Sequence, residues 1–115
     1  MKLTQVGKLD SLSRVKAATR EPVRIALVQM HWEKDAAKHL ENLNNGIELA
    51  AKAGAKLVCL PELTLSRYPA DQKPSGIPST IAEELEGPTL NFARSAAEKY
   101  GLYIHASLYE KSELA

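Results

Sequence analysis

Glu62 directly follows Pro61, after the apolar run Lys56-Leu-Val-Cys-Leu60. A proline has no N–H with which to continue a ladder, so the run reads as a short strand ending at Leu60, with Glu62 just past its carboxyl end. In parallel α/β sheets, ligand sites gather at that place. A carboxylate at the rim of an apolar sheet is expected to lose hydration, which favours proton uptake and suits a general base. The same position also suits a solvated loop glutamate or one that caps a nearby turn. Arg67 and Tyr68 follow in the same loop, within reach of the same cleft.

Other reactive residue types read more plainly. Cys59 is the single cysteine and stands in the middle of the apolar strand. Reactive thiolates need exposure and neighbouring positive charge, so Cys59 is expected to be a small buried hydrophobe. His31 and His39 are eight apart across a strand-to-helix junction, which makes no metal pair, and both are expected at the surface. His105 shares a strand face with Tyr103 and Ser107, the pattern of a hydrogen-bonded polar face packed against another layer. The sequence has no glycine-rich phosphate loop, nucleophile elbow, C-x-x-C or H-E-x-x-H. No metal site is expected.

The elements that must position Glu62 follow from periodicity. Val23 to Met30 is a short apolar run rich in β-branched residues and predicts a buried strand. From Asp35 to Ala53 the period turns helical, with Ala36, Leu40, Leu43, Ile47 and Ala50 on one face. Asp35 suits the N-cap and Gly54 the C′ position, while Asn44-Asn45-Gly46 predicts a weak spot. Residues 62 to 87 are irregular, punctuated by Pro69, Pro74, Gly76, Pro78 and Gly87, with an acidic turn at Glu83, Glu84 and Glu86. Pro88 opens a second helix with Leu90, Ala93, Ala97 and Tyr100 as its stripe, and Gly101 ends it. Leu102 to Tyr109 then alternates strictly, as a strand does. The order β-α-β-loop-α-β predicts an α/β fold with a parallel sheet.

The 115 residues are 44% hydrophobic and 25% charged at net charge +1, an ordinary globular composition. One cysteine permits no internal disulfide, and no apolar run approaches the roughly 20 residues that span a bilayer. Near-zero charge gives no electrostatic reason for a nucleic-acid or membrane partner, and a cytoplasmic location is expected. Residues 1–21 form a basic leader, expected to be a tail with a short helix over Ser11 to Thr19 or none, ahead of a domain over 22–115.

Taken together, Val23-Arg-Ile-Ala-Leu-Val-Gln-Met30, Gly54-Ala-Lys-Leu-Val-Cys-Leu-Pro-Glu-Leu-Thr-Leu-Ser-Arg-Tyr68, Glu86-Gly-Pro-Thr-Leu90 and Tyr100 to Glu110 resemble the N-terminal part of the nitrilase superfamily, the carbon–nitrogen hydrolases. The resemblance covers about residues 22 to 110 and leaves out the leader. It implies an α-β-β-α sandwich, here incomplete, a homo-oligomer built through helix layers, and no cofactor. It also implies a Glu-Lys-Cys triad acting on an amide, N-carbamoyl group or nitrile through a thioester. Glu62 matches the family's glutamate, and Tyr68 the tyrosine that lines or supports its pocket.

The lysine and cysteine of that triad have no counterpart: Cys59 precedes Glu62, and Lys111 comes too early. The 115-residue chain is therefore expected to be inactive alone. Two readings follow: the N-terminal piece of a hydrolase, or a non-catalytic module that pairs with a full-length homologue. A chain of one parallel sheet and two helices, stopping after the last strand, is expected to be unfinished.

Overall fold

Residues 1–8, 12–13, 16–71, 73, 76 and 80–112 are described by the computed structural model. Asp10, Ser11 and Arg14 of the leader, Pro74 and Pro78 of the long connection, and Leu114-Ala115 lie outside the described residues. So does part of the Ser11 to Thr19 stretch; its described residues form no helix and are exposed.

The elements are β1 (Ile25–Leu27), α1 (Ala36–Lys52), β2 (Leu57–Cys59), a single 3-10 turn (Pro69–Asp71), α2 (Pro88–Tyr100) and β3 (Tyr103–His105). The sheet is parallel in the order β1-β2-β3, with Ala26 beside Val58 and Val58 beside Ile104. Parallel pairing requires a crossover between neighbours, and α1 and α2 supply the two.

Helix α1 starts where Asp35 Oδ1 accepts from the N–H groups of Ala37 (2.9 Å) and Lys38 (3.1 Å), two donors the helix itself leaves unpaired. It ends at Ala53, and Gly54 turns the chain with φ of +80°. The Arg24 guanidinium donates to the Ala53 carbonyl, and Lys56 N–H donates to Arg24 O (2.8 Å), which starts the pairing of the first two strands.

The core-facing side of α1 is His39, Leu43, Gly46, Ile47 and Ala50; Ala36 and Leu40 are exposed. Leu43, Ile47 and Val58 are fully buried, and each such side chain contributes about 1.5–3 kcal/mol on leaving water. The predicted weak spot at Gly46 does not interrupt the helix. A Cβ there would sit 2.8 Å from Val28 Cγ1, so the glycine lets α1 lie close against the chain that follows β1.

Helix α2 has Pro88 in its first turn and Gly101 at its end in the left-handed conformation, φ 62°. Gly87 offers no side-chain cap, and Glu83 takes that role. Its carboxylate accepts from Thr89 N–H (2.8 Å) and from the Thr89 hydroxyl (2.5 Å). A Cβ on Gly87 would stand 2.6 Å from Glu84 O and 2.8 Å from Glu83 Oε2, so only glycine admits this cap.

The strands are shorter than the apolar runs predicted. Past His105 the ladder has no strand partner, since β2 stops ahead of Pro61; the chain bonds instead to turn residues. Thr64 N–H donates to Ser107 O (2.9 Å) and Glu83 N–H to Tyr109 O (2.9 Å). Both helices cover one face of the sheet, where Ala26, Val58 and Ile104 meet Leu43, Ile47 and Ala96. On the other face Ile25, Leu27, Tyr103 and His105 are exposed, Leu27 by 80% and Tyr103 by 78%.

Candidate active site

Glu62 lies beyond the carboxyl end of the central strand β2, as its place after Pro61 requires. Its side chain is exposed and makes no hydrogen bond or ion pair with the described residues. The expectation that the sheet rim strips Glu62 of water is therefore not met within these residues, because the face that would enclose it carries no cover.

The backbone around Glu62 is held far more firmly than its side chain. Leu60 N–H donates to His105 O (2.9 Å), closing the strand. Leu63, the next residue after Glu62, has φ of +49°, a left-handed conformation that costs a non-glycine residue about 1–2 kcal/mol. Four hydrogen bonds hold it there. Leu63 N–H donates to Ser107 Oγ (2.7 Å), Thr64 N–H to Ser107 O (2.9 Å), Ser107 N–H to Thr64 Oγ1 (3.1 Å), and the Thr64 hydroxyl to Pro61 O (3.0 Å). Thr64 is 1% exposed and Ser107 half-buried, so these bonds are partly shielded from competing water.

A fifth bond reaches the turn from α1. His39 is buried, with Nε2 at 2.8 Å from Thr64 O and Nδ1 accepting from Glu33 N–H at 3.3 Å. This corrects the expected surface position of His39; the amphipathic reading placed Leu40 inward, and the helix is rotated so that His39 points in instead. His31 is exposed, and its Nε2 stands 2.8 Å from Glu33 Oε1.

Arg67 and Tyr68 are exposed. The Arg67 guanidinium lies 5.8 Å from the Trp32 ring centroid and pairs with Asp71 at 2.8 Å, so it braces the loop. Beside it, a groove of about 220 Å³ is lined by Trp32, Glu33, Lys34, His39, Leu40 and Leu65. That is smaller than the roughly 300 Å³ of ordinary ligand pockets. Cys59 is half-buried on the uncovered face, in register between Leu27 and His105, so it is not the fully buried residue the apolar run suggested. Of the polar face expected to be hydrogen-bonded and packed against another layer, Ser107 is hydrogen-bonded, to Leu63 and Thr64 of the Glu62 turn, while Tyr103 and His105 are exposed with no layer upon them among the described residues. Thr64 and Ser107 gave no signal as a pair, since 43 residues separate them.

Among the described residues no cluster of three or more His, Cys, Asp or Glu is placed to hold a metal, and no helix is long and apolar enough to cross a membrane.

A small parallel three-stranded sheet backed by two helices is compatible with a nitrilase-type α/β fold. A profile of the carbon–nitrogen hydrolases matches residues 24–113, and the chain belongs to that family, of which it represents the N-terminal portion. It is 34% identical over 88 residues to a hydrolase of Mycobacterium tuberculosis, covering 76% of this chain and 29% of that protein. A citrullinase of Francisella tularensis is 29% identical over 89 residues, 77% of this chain and 31% of its own length. An omega-amidase of Danio rerio is 33% identical over 81 residues, 70% of this chain and 27% of its own. The chain thus matches under a third of the length of these curated relatives. No solved structure matches it significantly.

Proposed function

We propose that this chain carries the general base, Glu62, of a hydrolase that cleaves non-peptide carbon–nitrogen bonds through a Glu-Lys-Cys triad. The observation that carries the reading is the pinned turn: five hydrogen bonds fix the backbone that presents an exposed carboxylate, unpaired among the described residues, beyond the central strand.

In that chemistry Glu62 takes the thiol proton as the sulfur attacks the carbonyl carbon of an amide or carbamoyl group. The lysine stabilises the oxyanion. Collapse breaks the carbon–nitrogen bond, and the amine or ammonia leaves with the proton. Water, deprotonated by Glu62, then attacks the thioester; the acid departs and the thiol is restored. The thiol and the lysine come from sequence outside these 115 residues. The fraction of each relative that is matched supports this, and so does the open sheet face, which the second sheet of an α-β-β-α sandwich covers. Tyr68 lines the pocket in the completed site, and the helix layer joins copies into a homo-oligomer. The names of two relatives, a citrullinase and an omega-amidase, favour a carbamoyl or ω-amide substrate over a nitrile.

The test is the intact mass of the natural gene product from its own cells, followed by turnover of an ω-amide and an N-carbamoyl substrate by that product. A species at least twice 12.6 kDa, active and inactivated by Glu62→Gln, is expected. A 12.6 kDa product without turnover overturns the enzyme reading and leaves a module that pairs with a full-length homologue.

A further inference from the structure

The strain at Leu63 sits immediately after the proposed base, and a left-handed non-glycine residue persists only where its surroundings over-determine it. Four of the bonds that do so come from within the turn and from the chain after β3. The fifth comes from a buried imidazole on a helix 25 residues away in sequence, and its chemistry is specific.

A backbone carbonyl only accepts, so the His39 nitrogen facing Thr64 O must carry a proton. A backbone N–H only donates, so the nitrogen facing Glu33 N–H must be bare. Both conditions are met by one species, the neutral Nε2–H tautomer. A ring of the same shape with the other tautomer would face Thr64 O with a lone pair and Glu33 N–H with a hydrogen. His39 is 5% exposed, so a mismatched tautomer would leave the Thr64 carbonyl facing a lone pair in a buried contact.

We propose that His39 is a positioning residue for Glu62: as its Nε2–H tautomer it clamps the Thr64 carbonyl and so ties the Glu62 turn to helix α1. The proposal rests on the reading of Glu62 as the base. The clamp connects the two sides of the turn, since Ser107 holds residues 63 and 64 from the sheet while His39 holds residue 64 from the helix. Removal of either side lets Leu63 relax toward an ordinary φ, and a change there re-aims the preceding side chain. A glutamate aimed by backbone strain needs such a clamp, because among the described residues its carboxylate has no hydrogen bond or ion pair to fix it.

The test uses the natural gene product that carries these residues, and three variants of it. His39→Gln keeps an amide donor near the place of Nε2 but offers nothing to Glu33 N–H. His39→Asn keeps an acceptor near the place of Nδ1 but does not reach Thr64. His39→Leu keeps neither. The readouts are imidazole nitrogen shifts by NMR and hydrogen exchange by mass spectrometry, on the segment 60–68 and on α2 as an internal reference.

The expected result is a bare Nδ1 and a protonated Nε2. Exchange of residues 60–68 should be at least tenfold faster in the Leu and Asn variants, largely restored in the Gln variant, with α2 unchanged. An Nδ1–H tautomer, unaltered exchange in the Leu variant, or restoration by Asn in place of Gln overturns the proposal. Loss of protection throughout the chain in all three variants also overturns it, because His39 is then a core residue with no particular hold on the turn. If only the Leu variant unfolds, the contrast between Gln and Asn decides. None of these readouts involves turnover, so their failure leaves the base assignment standing. Conversely, an active Glu62→Gln natural product removes the base without touching the clamp.

Discussion

The Glu62 turn separates what a residue does for stability from what it does for chemistry. Glu62 is exposed and, among the described residues, unbonded, so Glu62→Gln should change stability by no more than about 0.5 kcal/mol, read by denaturant unfolding. In the active natural product the same change should lower kcat by at least about 10²-fold, the scale of a lost general base. Thr64 is the reverse case. Thr64→Val keeps its shape but removes the hydroxyl that donates to Pro61 O and accepts from Ser107 N–H. It leaves both groups unpaired in a shielded site and should destabilise by about 1–3 kcal/mol, again by denaturant unfolding.

At the scale of elements, the two helices are capped by different means, and each makes its own prediction. Asp35 caps α1 locally, and Asp35→Ala should cost about 1 kcal/mol. Helix α2 depends on Glu83, whose chain position bonds to both Tyr109 O and Lys111 N–H, so the cap also fastens the long connection to the chain after β3. Gly87→Ala should therefore loosen both together, seen as faster hydrogen exchange in 80–90 and in 106–112 at once. Exchange confined to α2 would separate them.

Acid should also act on α1 through Glu48. The hydrogen bond and charge of Lys52, 2.5 Å away, hold its carboxyl below the ordinary carboxylate range and raise the Lys52 ammonium above its own. A lowered carboxylate stabilises fully above its ordinary value and loses that contribution as pH falls through the lowered one. The raised lysine behaves oppositely: its contribution is full below its ordinary value and lost as pH climbs through the raised one. Both groups are exposed, so the effect is small and screened by salt. Glu48→Gln should flatten the loss of helical circular dichroism as pH falls through and below the ordinary carboxylate range at low salt, and leave the high-salt curve unchanged.

At the scale of the molecule, the uncovered sheet face dominates behaviour. Ile25, Leu27 and Tyr103 stand in solvent on one surface, with Leu57 and Cys59 half-buried between them. Contiguous apolar surface of this kind marks an interface or an aggregation hazard. The isolated chain should bind an apolar dye and self-associate, and Leu27→Lys should reduce both, measured by dye fluorescence and light scattering. A monomeric, cooperatively melting chain without dye binding would show that the face needs no cover.

The local signals in the sequence determined a great deal here. Asp35, Gly54, Pro88 and Gly101 delimit the helices because caps act within one turn of their own position, and Pro61 stops β2 and sets Glu62 beyond it because it lacks an N–H. What only the tertiary structure decided is where partners are remote. His39 points inward to a carbonyl 25 residues on, and Thr64 and Ser107 exchange bonds across 43 residues. Gly46 reads as a helix weakness until Val28 is seen against it. Strand alternation shows which residues share the face of Leu27 and Tyr103, but periodicity carries no information about what packs upon it. That depends on contacts between segments far apart in the chain, which are fixed only when the backbone has folded to bring them together.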